Sequence, residues 1–120
     1  MDYFERKLDD KRRLTIPTEL RSEFASGVVL TRGFGQYLHL YPQKVWDSEV
    51  EPALTGSILD EKTADINVRF RRGKTGAELD QKQGRVTIEQ HLLEYAGIDR
   101  ELVAVRAGDY FRLLPHDADV

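Results

Sequence analysis

The stretch LDDKRRLTIP, residues 8–17, decides the fold, because it returns as LDQKQGRVTIE at residues 79–89. Leu8 and Asp9 match Leu79 and Asp80, and Lys11 matches Lys82. Arg13, Thr15, Ile16 and Leu20 match Arg85, Thr87, Ile88 and Leu92 at an offset of 72. Further on, Val29, Arg32, Gly35, Tyr37, Leu40 and Pro42 find Val103, Arg106, Gly108, Tyr110, Leu113 and Pro115, the offset drifting as loop insertions require. Identities that keep their order over so much of a short chain point to an internal duplication.

Each copy reads as strand, strand, helix, strand, strand. In the first, Tyr3 to Leu8 alternates like a strand, Asp9 to Arg12 is turn-forming, and Leu14-Thr15-Ile16 is a short return strand that makes a small hairpin. Pro17 suits a first helical position, and Leu20 and Phe24 are spaced as one buried stripe, so Pro17 to Ala25 is predicted helical, ended by Gly27. Strands follow at Val28 to Thr31 and Tyr37 to Tyr41, joined through Gly33 and Gly35, glycines suited to positive φ. The second copy gives strands at Gly76 to Leu79 and Arg85 to Ile88, a helix at Glu89 to Ala96 closed by Gly97, and strands at Leu102 to Arg106 and Tyr110 to Leu114. Between the copies, Pro42 to Arg72 reads as two helical pieces separated at Pro52 to Gly56. One piece carries Val45, Trp46 and Val50 on a face, with Trp46 a packing residue, and the other carries Leu59, Ile66 and Phe70.

About 40 residues cannot bury a sheet unaided. The strands of one copy are therefore expected to pair with those of the other. The expected fold is mainly β in the α+β class, a pseudo-two-fold barrel of two repeats with short helices. Its parts are a first repeat at 4–46, a helical linker at 47–73 and a second repeat at 74–117, forming one compact unit.

Composition bounds what such a unit does. A chain of 120 residues with 40% hydrophobic and 32% charged residues is an ordinary globular domain. It has no cysteine and three scattered histidines, so thiol catalysis, disulfides and metal centres are not expected. Its start, Met1-Asp2-Tyr3-Phe4-Glu5, lacks the basic and apolar regions of a leader, and the expected location is the cytoplasm. The net charge of −3 offers nucleic acid no overall attraction, but the charge is segregated. Residues 69–85 carry +4, from Arg69, Arg71, Arg72, Lys74, Lys82 and Arg85 against Glu78 and Asp80, whereas residues 44–65 carry −4. The basic stretch serves either phosphate contact or the end of the linker helix.

LDDKRRLTIP, LTRGFGQYLHLYP, NVRFRRGKTGAELD and QGRVTIEQHLLEYAGI, taken in order, resemble the MraZ family of bacterial transcriptional regulators, built from two SpoVT/AbrB-type swapped-hairpin repeats. The resemblance implies a nucleoid-associated homo-oligomer, a ring that binds direct repeats in double-stranded DNA upstream of its own gene and represses its division and cell-wall gene cluster. The family's Asp-x-x-x-Arg signature falls on Asp9 and Arg13. Arg12 stands where the family has glycine, Asp80 and Arg85 are separated by one extra residue near Gln83, and Glu89 replaces a proline. The sequence ends at Val120, before the C-terminal helical extension of many members.

The chemistry of these residues agrees with that implication. A two-stranded ribbon fits the major groove, where arginine bonds guanine through O6 and N7 while neighbouring cations hold phosphates. Arg13 is the candidate base or phosphate contact, Asp9 orients it, and Lys7, Lys11 and Arg12 are candidate phosphate contacts. Arg85, Lys82 and Asp80 are the second copy's counterparts, with a purely structural pairing of Asp80 and Arg85 favoured. Oligomeric display of the ribbon would offset the acidic balance by avidity.

Other readings fail on residues. Gly73-Lys74-Thr75 resembles the end of a phosphate loop, but the required first glycine is Val68. His39, His91 and His116 form no metal spacing, and Asp60, Glu61 and Asp65 have no nucleophile beside them, so no enzyme, cofactor or small-molecule substrate is expected. The remaining alternatives are an antitoxin-type DNA binder of the same hairpin fold and a ring scaffold without DNA binding.

Overall fold

The strands form a six-stranded antiparallel sheet and a separate two-stranded ribbon. The computed structural model describes residues 1–56, 59–80 and 82–118. The strands are β1 (Tyr3–Lys7), β2 (Arg13–Thr15), β3 (Val28–Arg32), β4 (Leu38–Pro42), β5 (Thr75–Ala77), β6 (Arg85–Thr87), β7 (Glu101–Arg106) and β8 (Phe111–Pro115). The large sheet runs β1-β7-β8-β4-β3-β5, and β2 pairs with β6. Exchanging each strand for its counterpart four places along the chain returns the same order reversed. The mainly β, α+β fold expected from sequence is what forms. Within the large sheet, β1 and β5 are the two edges.

Cross-pairing between the copies holds, and it displaces the expected local hairpin. β1 pairs with β7, from Tyr3 opposite Val105 to Lys7 opposite Glu101, while Arg13, Leu14 and Thr15 of β2 face Thr87, Val86 and Arg85 of β6. The turn between β1 and β2 closes at Asp9 and Arg13, and beyond it the strands part. The reason lies in the side chains between them. Leu14 and Val86 both point inward and are buried, and pairing β2 with β6 seats them together over Leu20, Phe24, Leu92 and Phe111 in one core. Burying each such side chain contributes about 1.5 to 3 kcal/mol, far more than the few ladder bonds of a three-residue strand select between.

β3 and β4 are covered on both faces. Val28, Leu30, Leu38 and Leu40 face the central core, and Val29 and Tyr41 face a second cluster with Trp46, Leu54 and Phe70. That cluster belongs to the linker helices: α1 (Gln43–Val45), a π turn (Trp46–Val50), α2 (Glu51–Leu54) and α3 (Glu61–Gly73). Trp46 packs edge-on against Tyr41, and Val45, Val50 and Ile66 lean on the same cluster.

Four expectations need correction. The separation expected at Pro52 to Gly56 begins only after Leu54, since α2 runs through Pro52 and is capped at Thr55 before α3 starts at Glu61. Proline removes one N–H and crowds the carbonyl four residues back, and the π turn, in which Glu51 N–H reaches the Trp46 carbonyl, makes the room. Leu59 packs on no helix face: it precedes α3 and is 94% exposed. Ser57 and Ile58 of the linker lie outside the described residues. The predicted helix at Pro17 to Ala25 is a 3-10 helix, Thr18–Phe24, with Pro17 as its cap, although Leu20 and Phe24 are buried as expected. Gly33 and Gly35 adopt no positive φ. They are needed because Tyr37 lies on them, where added Cβ atoms would fall 2.6 and 2.9 Å from its ring. In the second copy α4 (Gln90–Ala96) ends as expected at Gly97 in the left-handed region.

Candidate nucleic-acid interface

The ribbon sorts its side chains by the two-residue period of a strand. Leu14 and Val86 face the core, so Arg13, Thr15, Arg85 and Thr87 face outward, all at least partly exposed. Arg13, Arg85, Asp80 and Thr87 line one shallow depression. Sequence reading had found the two arginines separately but missed that one ribbon carries both, and it missed Thr15 and Thr87 as site residues. Their alternation with Leu14 and Val86 was the available signal.

Asp9 is the hub of the first turn. Its Oδ1 accepts from the backbone N–H groups of Lys11 and Arg13, each at 2.9 Å, and its Oδ2 accepts from Arg13 Nε at 2.6 Å. Burial works upward on this carboxyl, but the N–H of Arg13, its guanidinium and the N–H of Lys11 together hold it below its ordinary value. The turn tightens at Arg12, the one non-glycine residue with positive φ among those described, at 59°. Its counterpart Gly84 has φ 65°. The left-handed conformation that Gly84 adopts freely costs Arg12 about 1 to 2 kcal/mol.

In the second turn the extra residue is absorbed before Gly84. Asp80 Oδ1 accepts from Lys82 N–H at 3.0 Å, and its Oδ2 accepts from Arg85 Nε and Nη2 at 3.2 and 3.1 Å. The Lys82 N–H first, and then Arg85, hold the Asp80 carboxyl below its usual range. Gln81 lies outside the described residues. The Asp–Arg pairing thus survives the insertion.

The other basic candidates divide. Lys11 and Lys82 are exposed on the turns. Lys7 lies apart, at the end of β1 in a depression with Asp99, Glu101 and Asp117. In the basic stretch, Arg71 is held by both oxygens of Glu51, Arg69 donates to the Phe34 carbonyl, and Lys74 sits over the Trp46 ring. Those three serve the linker helices. Arg6, which sequence reading passed over, donates from Nε to the Thr15 carbonyl at 3.0 Å and ties β1 to the ribbon.

Away from the ribbon, two features bear on binding chemistry. An apolar cleft of about 510 Å³ lies between the linker and the sheet, lined by Tyr41, Val50, Ile66, Phe70 and Tyr110. Beside it His39 is fully buried, bonded through Nδ1 to Tyr41 Oη at 2.8 Å, and burial together with Arg112 pushes it down to about 3. It is a neutral packing residue in an aromatic cluster. Among the described residues no three His, Cys, Asp or Glu side chains gather as a metal would need, and no helix is long and apolar enough to cross a membrane.

Comparison with known proteins gives this arrangement its context. The family described as "MraZ protein, putative antitoxin-like" matches residues 1–65. The chain is 38% identical to the transcriptional regulator MraZ of Kocuria rhizophila over 88% of its own length and 73% of the relative's. It is 39% identical to the same-named protein of Salinispora tropica, over 84% of this chain and 70% of that one. With that of Halothermothrix orenii it shares 39% identity over 88% and 73%. These relatives are regulators of transcription and not enzymes, and the repeat, the cross-paired strands and the two Asp–Arg turns sit on a chain that belongs to the MraZ family.

Proposed function

We propose that this protein is a sequence-specific binder of double-stranded DNA that regulates transcription, acting as a repressor of its own division and cell-wall gene cluster. The observation that carries the reading is the outward face of the ribbon, where Arg13 and Arg85 are each held by an aspartate beside Thr15 and Thr87. A two-stranded ribbon enters the major groove, and arginine and threonine are residue types that read base edges there. Arg13 is the leading contact, oriented by Asp9, and Lys11, Arg12 and Lys82 hold phosphates. Arg85 and Asp80 stand in the second position, as a structural pair with access to the same groove.

The two repeats, 4–46 and 74–117, joined by the 47–73 linker, act as one unit that presents one ribbon. Direct repeats in DNA are the counterpart of several such units in a homo-oligomeric ring, and avidity then outweighs the net charge of −3. The protein works in the cytoplasm on the nucleoid and needs no cofactor.

The test is a gel-shift titration on the DNA upstream of its own gene against a shuffled fragment, at two salt concentrations, with Arg13→Ala beside the wild type. Tight, salt-sensitive binding to the native fragment that disappears in a folded Arg13→Ala variant supports the reading. Equal weak binding to both fragments, indifferent to Arg13, refutes it. The family's antitoxin-like description favours one second reading, in which the same ribbon binds DNA and another surface holds a toxin protein.

A further inference from the structure

The two ends of the ribbon are built differently, and the difference exposes a residue outside the signature. Each turn is bonded to the other half: Ile88 N–H donates to the Arg12 carbonyl at 2.9 Å, and Ile16 N–H donates to the Gly84 carbonyl at 2.8 Å. Two equivalent corners result, and at each the carbonyl of that isoleucine accepts from an arginine. At the first corner the donor is Arg12 Nε, from the turn itself, to Ile88 O at 3.3 Å. At the second it is Arg21 Nε, from the 3-10 helix, to Ile16 O at 3.0 Å.

The same offset of 72 that relates Arg12 to Gly84 relates Arg21 to Leu93. Where the turn has arginine, the facing helix has the buried Leu93; where the turn has glycine, the facing element has Arg21. The space at the second corner is filled, since a Cβ at Gly84 would fall 2.2 Å from Arg21 Nε. Each corner therefore holds one guanidinium, delivered from opposite sides. Among the described residues no carboxylate lies within salt-bridge distance of Arg12 or Arg21, and neither uses its Nη atoms in a hydrogen bond. Nε is anchored to backbone and the rest of the fork is left for a partner outside the chain. Fixed, uncompensated guanidinium groups are suited to the oxygens of a nucleic-acid phosphate.

We propose that Arg21 is a DNA phosphate contact at the second corner, the equivalent of Arg12 at the first, so that the ribbon is flanked at both ends by an anchored guanidinium. This rests on the reading that the ribbon faces DNA. Phosphate contacts are independent of sequence, so the effect falls alike on specific and nonspecific duplex.

The experiment is fluorescence anisotropy of the full chain with a labelled duplex of the upstream DNA and a shuffled duplex of equal length, across a salt series, for wild type, Arg21→Gln, Arg21→Lys and Arg13→Ala. Thermal melts accompany each variant. Arg21→Gln is expected to weaken both duplexes by a similar factor and to reduce the slope of log affinity against log salt by about 0.9, one phosphate's worth. Arg21→Lys keeps the charge and is expected to restore affinity and slope. A purely structural carbonyl clamp would instead leave the slope unchanged in both variants and lose as much thermal stability in Lys, which lacks Nε, as in Gln. The inference is overturned if Arg21→Gln keeps the wild-type slope while Arg13→Ala loses specific binding. Wild-type protein that binds neither duplex would instead overturn the ribbon reading, and this inference with it.

Discussion

The first and second turns hold the same pair of residues by different means. Asp9 accepts from the backbone N–H groups of Lys11 and Arg13 besides the Arg13 guanidinium, whereas the Asp80 side chain bonds the N–H of Lys82 and gives its other oxygen to two nitrogens of Arg85. In the first turn the aspartate fixes both backbone and arginine, with Arg12 forced to φ 59°; in the second, Gly84 relaxes the backbone and the extra residue lengthens the loop. An inserted residue need not destroy such a motif, but it shifts the balance: Asp80 keeps the backbone bond to the Lys82 N–H and gives its other oxygen to two nitrogens of Arg85. The first turn is the better preorganised, so under the proposed function its arginine is the one expected to carry more of the binding.

The largest expected effect breaks the comparison at the arginines. Arg13→Ala should weaken binding to the upstream duplex by about 100-fold, as loss of a bidentate base contact does. Arg85→Ala should weaken it less, by about tenfold or under, as a supporting contact does. Equal losses, read by anisotropy, would mean that both turns read DNA alike.

Next comes the core that seats the ribbon. Leu14→Ala should cost about 2 to 5 kcal/mol in denaturant unfolding, because Leu14 is fully buried between the copies. Val86→Ala, with less side chain to lose, should cost less, and both should weaken DNA binding only through folding.

A third effect lies far from the turns and calibrates them. His39 holds at about 3 against 6.5 for an exposed imidazole, so between those values the unfolded chain binds a proton that the native chain refuses. Its contribution is full above pH 6.5 and declines as pH falls toward 3, by about 1.4 kcal/mol per pH unit. Tyr41, Tyr110 and Arg112 surround it. His39→Phe should flatten that acid limb in urea titrations at stepped pH. The depressed carboxyls of Asp9 and Asp80 act lower, their pairing being intact above the ordinary aspartate value of 3.8 and lost as pH falls below it.

The smallest effect sharpens the comparison at a single position. Arg12→Gly relieves the left-handed turn but gives up the bond to the Ile88 carbonyl, so thermal stability should change by less than about 1 kcal/mol. The salt slope of DNA binding should still fall by about 0.9.

Much of this was legible in the sequence for a physical reason: the repeat fixes which residues must be equivalent, and Leu14 with Val86 marks the inward side of both short strands. Arg13, Asp9, Arg85 and Asp80 were found because a signature aligns them. What escaped depended on partners distant along the chain. The short strand at Leu14 carries no local sign that its partner is 72 residues away rather than across its own turn. Arg21 sits in an unremarkable helix, and only the fold puts it over Gly84. Pro52 read as a break because a π turn leaves no mark in composition.

The most direct measurement is amide chemical-shift mapping of the full chain as the upstream duplex is added. If the ribbon faces DNA, Arg13, Thr15, Arg85 and Thr87 move together, with Arg12 and Arg21 at the two corners. Shifts confined to the linker helix around Arg69 to Arg72, with the ribbon unmoved, would contradict it.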